Sequence, residues 1–558
     1  MMTWADHLII VPIVLPLVAA ASMLLIDEQR RGLRFAIDVA VTIGLLVAGI
    51  LLMRLADAPA GQVAGWSGSI GVYLAANWPA PFGIALAVDR LTALMLVLTA
   101  VLALCSLLFA HARWERAGVH FPPLFLLLLM GLNGAFLTAD LFNLFVFFEV
   151  MLAASYGLVL HGSGAARVSA GLHYIAVNVV ATSLFLVGVA LIYGVTGTLN
   201  MADIARLVPA VASSDRMLLE AGAAILGVAF LVKAGMWPLN FWLPPTYSAA
   251  SAPAGAIFAV MTKVGVYVIL RLWMLLFASE AGESTGFGRD WLLYGGIATL
   301  AFATLGMTAA QDLGRLAGYA IISSSGTLLA AIGFGSTGVL AGALYYLVSA
   351  TLAAGALFLL TELVERSRGF GASVLAVTLE DFEARGWLHA DTGREDEEPD
   401  EAGVAIPAAI SFLGLSFLCC ALLIAGLPPL SGFIAKFALL SALLDHDGIG
   451  VTIAAGVAPS AWVMLGLLVF SGLAAVISFG RIGVRTFWVP VDPIPPRLRV
   501  IEAAPVVVLV MLCVALTVQA GPVMRYLDAA SATLRGGGDF SRAVLSAPAV
   551  PAPGGGAR

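Results

Sequence analysis

The sequence predicts an all-α polytopic membrane protein. Of its 558 residues, 61% are hydrophobic and only 11% are charged, whereas a soluble domain carries about 25% charged residues. The mean hydropathy is +1.00, and a soluble protein of this size has no means of hiding so much apolar surface from water. Lipid is therefore the expected solvent of the chain, and no nucleic-acid partner is expected.

Apolar runs long enough to span the bilayer as helices recur along the whole chain. The first run is not expected to be a cleaved signal peptide, because its positive charges (Arg30, Arg31 and Arg34) follow the apolar stretch instead of preceding it. About fourteen transmembrane helices are predicted. The runs lie at residues 8–26, 33–53, 84–110, 121–138, 140–160, 170–194, 217–245, 253–277, 291–309, 316–335, 338–362, 404–444, 459–480 and 500–520.

Two of these runs are too long for one straight helix, and both contain proline near the middle. Pro238 interrupts the run 217–245, and Pro428 and Pro429 interrupt the run 404–444. Proline removes a backbone donor and clashes with the preceding turn, so both segments are predicted to be interrupted helices. In secondary transporters, a pair of interrupted helices indicates the transport site.

Arginine placement predicts the topology. With the N-terminus outside, the inside loops carry many arginines and the outside loops carry few, which is the positive-inside pattern of a multi-pass protein of the cell (inner) membrane. An even number of helices then leaves both the N- and C-termini outside. The inside set is Arg30, Arg31, Arg34, Arg113, Arg116, Arg167, Arg315, Arg366, Arg368, Arg481, Arg485, Arg497 and Arg499, and the outside set is Arg206, Arg216 and Arg289.

Two segments are not expected in the membrane. Residues 365–403 are predicted to form a cytoplasmic loop that ends in the acidic run GREDEEPDE. A solvated charged loop is the favoured interpretation, and a partner-docking or ion-attracting loop is the alternative. Residues 532–558 are rich in Gly, Pro and Ala and are predicted to be a disordered tail.

No cofactor is expected. The chain has four cysteines, all in apolar stretches, and none stands in a CxxC or Cys/His cluster. This pattern argues against iron–sulfur, haem and zinc sites and against a disulfide framework.

Lysine is almost absent, and its few positions are unusual. The chain has twenty-five arginines but only three lysines, Lys233, Lys263 and Lys436, and all three lie inside apolar runs. Arginine stays protonated, whereas a buried lysine can lose and regain a proton near neutral pH. The pattern therefore predicts that the three lysines carry protons through the membrane. The alternatives are that Lys263 or Lys436 snorkels to the interface, or that all three lysines have a structural role.

One carboxylate, like the three lysines, lies inside an apolar run. Glu149 lies in the middle of an apolar run, where an unpaired charge costs a few kcal/mol. We expect Glu149 to face the protein interior and to pair with Lys233, either as part of the proton path or as a purely structural ion pair.

Other polar residues in the runs each have two alternative roles. Asp140 stands at the start of a run, where an interaction with the helix N-terminus is favoured over proton entry. His173 lies within a run, as do Asn178, Thr182 and Ser323–Ser325. These side chains can line a hydrated path or form helix-to-helix hydrogen bonds.

These residues stand in longer motifs. The motifs are FVFFE ending at Glu149, FLVKAGMWPLNFWLP around Lys233, MTKVGVYVILR around Lys263, QDLGRLAGYAIISSSG at 311–326, and GLPPLSGFIAKF around Lys436. Together they resemble the antiporter-like subunits shared by Mrp-type cation/proton antiporters and respiratory complex I. Within that superfamily the chain is most similar to the D subunits of the Mrp (Pha-type) multisubunit antiporters.

The resemblance implies a domain organisation. It implies fourteen helices, two inverted repeats of five helices each, and interruptions in helices 7 and 12. Mapped onto this sequence, helices 1–3 lie in 1–120, the first repeat (helices 4–8) in 121–278, the second repeat (helices 9–13) in 290–480, and helix 14 at 500–520.

The resemblance also implies roles for residues. Glu149 would be the charge partner, Lys233 the pumping lysine, Lys263 the connecting relay and Lys436 the terminal site. Some relatives carry a histidine in the eleventh helix, where this chain has LYYLVSATLAAGALF. Water or hydroxyl groups such as Ser349 and Thr351 would have to relay protons there.

The expected function is that of a proton-translocating subunit in a multisubunit Na⁺(K⁺)/H⁺ antiporter, and not that of an enzyme. Its expected partners are the other subunits of the complex, the lipid bilayer, protons, and Na⁺ or K⁺. The alternative is a proton-pumping membrane-arm subunit of a complex I-like or hydrogenase redox enzyme. A third interpretation, a scaffold for an active neighbour, does not explain three lysines inside the membrane.

Overall fold

The computed structural model describes residues 4–59, 61–63, 66–114, 118, 120–162, 164–278, 280–384, 408–444, 458–487 and 498–549, with side chains as far as residue 366 in the stretch 280–384. Within these ranges the chain is a bundle of α-helices with one short antiparallel hairpin. The hairpin pairs β1 (Gly71–Leu74) with β2 (Ala85–Val88), so that Gly71 faces Val88.

The described helices, in chain order, are α1 Trp4–Leu8, α2 Val11–Leu25, α3 Arg31–Asp57, α4 Arg90–His111, α5 Phe121–Leu137, α6 Leu141–Leu160, α7 Ala165–Thr196, α8 Met201–Leu207, α9 Ser213–Ala234, α10 Leu243–Ala249, α11 Ala252–Leu276, α12 Arg289–Ala309, α13 Leu313–Phe334, α14 Thr337–Ala384, α15 Ala408–Ala425, α16 Ser431–Leu444, α17 Pro459–Phe487, α18 Val500–Val518, α19 Ala520–Arg535 and α20 Gly537–Leu545.

The helices confirm the polytopic all-α class. By length and composition, twelve of those in the described ranges can cross a bilayer, and α2, α5 and α16 are shorter apolar helices. They fall where the sequence predicts apolar runs. The total of about fourteen spans and the division into two repeats stay predictions.

Both predicted interruptions are present. The helix α9 ends before Gly235, which has a left-handed φ of 72°, and α15 ends before Gly426, with φ of 73°. Glycine adopts this conformation without a Cβ clash and so ends a helix. Pro238 follows Gly235 by three residues, and Pro429 follows Gly426 by three, so neither helix can resume at once.

The helix α11 forms the centre of the bundle. Its apolar stretch is entirely buried inside the protein, and the stretches of α13 and α14 are almost entirely buried. At one end, the buried Asp89 at the N-cap of α4 binds Arg271 of α11 through contacts of 2.6 and 2.8 Å. This bidentate pair joins α11 to α4 and gives the lysine-bearing helix a fixed position.

The C-terminal region differs from the sequence-based expectation. The composition predicts a disordered tail from residue 532, but α19 continues to Arg535 and α20 follows. Phe540, Ala543 and Val544 form one apolar face of α20, which packs in a cluster with Ile70. The composition of the segment hides this face, because its glycines and prolines flank a helix with i, i+3, i+4 spacing. Residues 550–558 lie outside the described ranges.

The predicted cytoplasmic loop at 365–403 also begins differently. The backbone of α14 continues as a helix to Ala384, so the first half of this segment is helical. The acidic run GREDEEPDE lies outside the described residues.

Candidate proton path

Glu149 and Lys233 line one small cavity. Glu149 lies on α6 and is half-buried, and Lys233 lies near the end of α9 and is buried. The remaining walls include four phenylalanines, which keep the cavity apolar apart from the charged groups and Thr182. These phenylalanines are Phe145, Phe148, Phe185 and Phe230.

The expected direct pairing of Glu149 with Lys233 is wrong for this conformation. Among the described residues, the two make no ion pair within 4.0 Å. Instead, Thr182 Oγ1 donates to Glu149 Oε1 at 2.7 Å, and Lys233 Nζ donates to Asn178 Oδ1. The reason is the packing of α7, which contacts both α6 and α9. Asn178 and Thr182 stand one helical turn apart on α7 and face the two charged groups.

Lys263 is held by hydroxyl groups. It lies on α11 with 1% of its surface exposed. Its Nζ donates to Ser324 Oγ and, at 3.3 Å, to Ser325 Oγ of α13. A serine hydroxyl both donates and accepts, so it can bind an ammonium group or a neutral amine.

The first two lysine helices touch each other directly. A Cβ placed on Gly265 of α11 would lie 3.1 Å from the carbonyl carbon of Lys233 and 2.6 Å from the amide nitrogen of Ala234. Glycine two residues after Lys263 therefore lets the backbones of α9 and α11 approach closely. This contact places the segments that carry Lys233 and Lys263 side by side.

Lys436 binds the end of an interrupted helix. Its Nζ donates to the carbonyl oxygens of Ala425 at 2.8 Å and Ile424 at 3.3 Å, the last residues of α15. The final carbonyls of a helix lack intrahelical donors and carry partial negative charge. The interruption before Pro428 thus creates the ligands of this lysine.

A cavity lies between the surroundings of Lys263 and Lys436. Ser324, the partner of Lys263, and Ile424, a partner of Lys436, are both in its wall. Other hydroxyl groups line the space between them, from Ser323, Tyr346, Ser349 and Ser471.

Of the two hydroxyls predicted in the eleventh helix, only one belongs to this cavity wall. Ser349 Oγ lies 2.8 Å from Ser431 Oγ. Thr351 Oγ1 donates to Leu347 O of its own helix, at 2.5 Å. The geometry therefore brings Ser349 toward the path and leaves Thr351 with a helix-internal bond.

Asp140 and His173 lie apart from the lysines. Asp140 caps α6 by accepting from Asn143 N at 2.8 Å. Burial raises the pKa of Asp140, and the amides of Asn143 and Phe142 oppose that rise. His173 is exposed on α7, 2.9 Å from Ser169 O. A path role for these two residues stays a prediction.

Asp38 is a buried carboxylate that is not among the residues predicted from the sequence. This carboxylate lies on α3 and has no exposed surface. The sequence signal for Asp38 is its position inside the apolar run 33–53, which is the same kind of signal that distinguishes Glu149.

Known proteins resemble this chain over nearly its full length. A family model described as "NADH:quinone oxidoreductase/Mrp antiporter, TM" matches residues 138–378. The D subunit of a probable K⁺/H⁺ antiporter from Rhizobium meliloti is 56% identical, over 98% of this chain and 99% of the relative. The chain belongs to the family of antiporter D subunits. The D subunit of a Na⁺/H⁺ antiporter from Bacillus subtilis is 30% identical, over 97% of this chain and 99% of that one.

A solved structure supports the same family. A chain in the structure of the Mrp complex from Dietzia sp. matches with a TM-score of 0.79 and 26% identity, over 98% of this chain and all of that one. The likeness therefore extends over nearly the whole chain.

Proposed function

We propose that this D subunit moves protons through the membrane within a multisubunit antiporter that exports K⁺ or Na⁺. One observation carries the proposal. Each of Lys233, Lys263 and Lys436 is bound by neutral oxygen atoms, and none of them, in the described part of the chain, has a carboxylate within 4.0 Å. A buried lysine that stayed charged would need a close counter-ion. Neutral ligands suit a lysine that changes its protonation state.

The proposed path follows the contacts between helices. A proton on Lys233 passes to Lys263 across the close contact of α9 and α11, and then through the serine-lined cavity to Lys436. Glu149, in the same cavity as Lys233, stabilises the charged lysine when the two approach. Asp140 and His173 remain candidates for proton entry, and Ser349 is the favoured hydroxyl relay.

The names of the relatives support the proposed complex and the proposed choice of cations. The D subunits compared above carry names of K⁺/H⁺ and Na⁺/H⁺ antiporters, and the R. meliloti relative makes K⁺ the first cation to test. We propose a location in the cell membrane with both termini outside, and assembly with the other subunits of an antiporter. A complex I-like redox arm is the weaker alternative, because the relatives compared above are antiporter subunits.

The test is antiport in everted membrane vesicles that carry the full complex. Dye quenching reports the pH gradient, K⁺ and Na⁺ are added separately, and a native gel reports assembly. Lys233→Ala is expected to assemble and to lose cation-dependent proton movement. Arg542→Ala, which removes an exposed cation of α20, is the matched control and should transport normally.

The same assay separates the alternatives. Proton movement that follows added K⁺ or Na⁺ without a reductant supports the antiporter. Proton movement that requires NADH or another reductant supports the redox arm. An assembled Lys233→Ala complex with normal antiport would refute the proposed lysine path.

A further inference from the structure

Asn178 of α7 has a defined orientation toward Lys233 of α9. It has no exposed surface. Its Nδ2 donates to Tyr174 O at 2.6 Å, and its Oδ1 accepts from Lys233 Nζ. Because only the oxygen of the amide can accept from the lysine, these two contacts fix which way the side chain points. Asn178 thus presents a permanent, neutral acceptor to Lys233.

Thr182 departs from the usual behaviour of threonine in this protein. Helical threonines elsewhere in the described chain, such as Thr196 and Thr304, donate to the carbonyl four residues earlier, which is the common pattern. Thr182 instead donates to Glu149 Oε1 at 2.7 Å. Its hydroxyl is therefore committed to the carboxylate and not to its own helix.

Asn178 and Thr182 bind two opposite charges through separate hydrogen bonds. In a medium of low dielectric constant, an ammonium group and a carboxylate in one cavity attract strongly. Here Lys233 and Glu149 are each bound by a neutral group of α7, one turn apart. An amide oxygen accepts from an amine as well as from an ammonium group, so the contact of Asn178 with Lys233 survives loss of the proton.

We propose that Asn178 and Thr182 act together as positioning residues, called here the α7 clamp, which hold Lys233 and Glu149 in separate hydrogen bonds. The clamp thereby sets the pH range in which Lys233 exchanges its proton. This inference rests on the proposed function of Lys233 and adds a control element to it. Opening the clamp lets the carboxylate approach Lys233 and favours its charged form.

The test is the pH profile of K⁺-dependent proton movement in vesicles that carry the full complex. Asn178→Ala and Thr182→Val each remove one half of the clamp, so the carboxylate can approach the lysine. Both variants are expected to move the profile to higher pH by about one unit. Asn178→Asp places a carboxylate on the lysine itself and should move the profile in the same direction. Ser183→Ala, which alters an exposed neighbour bonded to Val179 O, should leave it unchanged.

Other outcomes overturn the clamp. An unshifted profile with a uniformly lower rate in Asn178→Ala would mean that Asn178 is structural. A shift to lower pH would mean that it serves only as a ligand of the ammonium group. If Asn178→Ala fails to assemble on a native gel, the nearly isosteric Thr182→Val decides by the same criteria. Inactive Lys233→Ala with unshifted clamp variants would refute the clamp alone, whereas active Lys233→Ala would refute the proposed function.

Discussion

Lys436 Nζ lies 2.8 Å from the carbonyl oxygen of Ala425, so the lysine of one half-helix binds the end of the other. The helices α15 and α16 are separated by the segment that contains Pro428 and Pro429. The lysine therefore has two roles at this point. It supplies a donor to carbonyls that the interruption leaves without helical partners, and it is a candidate proton carrier.

Substitutions of Lys436 separate these roles. Lys436→Arg keeps a cation that can donate to the Ala425 carbonyl but does not release its proton. We expect Lys436→Arg to assemble with nearly normal thermal stability and to lose cation-dependent proton movement. Lys436→Met should lose transport and also some stability, about 1–3 kcal/mol for the unsatisfied carbonyls. Thermal unfolding of the purified complex and vesicle antiport check the two effects. Normal antiport by the arginine variant would show that Lys436 need not release a proton.

Gly426 should be required for the contact between Lys436 and the end of α15 for two reasons. One is its left-handed backbone conformation, and the other is the space that its missing Cβ leaves for the lysine side chain. A Cβ there would lie 2.9 Å from Lys436 Cε and 3.1 Å from Nζ. Gly335 provides a matched control, since its φ is 69° but the nearest atom to its Cβ is Ile332 O at 3.6 Å. Alanine at either site carries a strain of about 1–2 kcal/mol from the left-handed conformation.

The expected difference is functional. Both Gly426→Ala and Gly335→Ala should lower thermal stability by similar amounts, but only Gly426→Ala should slow antiport, because its Cβ displaces the lysine. Vesicle assays normalised to assembled complex would measure this. Equal antiport in the two variants would show that the position of Lys436 next to Gly426 does not matter for transport.

Much of this site could be predicted from the sequence, because the relevant signals are local. A lysine inside an apolar run and a proline in the middle of one are visible without any knowledge of packing. The two helix breaks in the structure, at the left-handed Gly235 and Gly426, lie at the interruptions that the prolines predict. The signal for the amphipathic face of α20 is also local, but the glycines and prolines around it make the i, i+3, i+4 spacing of its apolar residues hard to recognise.

Lateral packing could not be predicted in the same way. Two opposite charges inside apolar runs predict that Glu149 pairs with Lys233. In the structure, Asn178 instead binds Lys233 and Thr182 binds Glu149, because α7 packs against both α6 and α9. Hydropathy does not determine how α7 is rotated about its axis, and so does not show which of its side chains face α6 and α9. The sequence alone therefore does not distinguish a role in the path from a helix-to-helix hydrogen bond for Asn178 and Thr182.

Ser349 in the serine-lined cavity should contribute to proton transfer between Lys263 and Lys436. Ser349 lies in its wall and contacts Ser431, whereas Thr351 bonds to its own helix. Ser349→Ala removes a hydroxyl from the route between Lys263 and Lys436. We expect antiport to fall by about fivefold, the rate equivalent of one hydrogen bond of about 1 kcal/mol. Thr351→Ser, which keeps the hydroxyl, is the control. A normal rate in assembled Ser349→Ala would indicate that water alone bridges this gap.

His161 should make stability depend on pH. It caps the end of α6 and lies 2.8 Å, through Nε2, from Trp114 O. Burial lowers the pKa of His161 below its usual value of 6.5, with help from Arg167 and His120, although the bond to Trp114 opposes the shift. The folded protein thus favours the neutral ring. Its contribution to stability is complete above about pH 6.5 and is lost as the pH falls below that value, since the unfolded chain then binds more protons.

The measurement is the thermal unfolding midpoint of the purified complex between about pH 8 and about pH 5. His161→Gln keeps a donor for Trp114 O but cannot titrate, so its midpoint should fall less on acidification than that of the wild type. His173→Gln removes a histidine that is exposed on α7, and it should behave as the wild type does. If both variants lose stability on acidification as steeply as the wild type, the pH dependence comes from other groups and the burial of His161 has no measurable consequence.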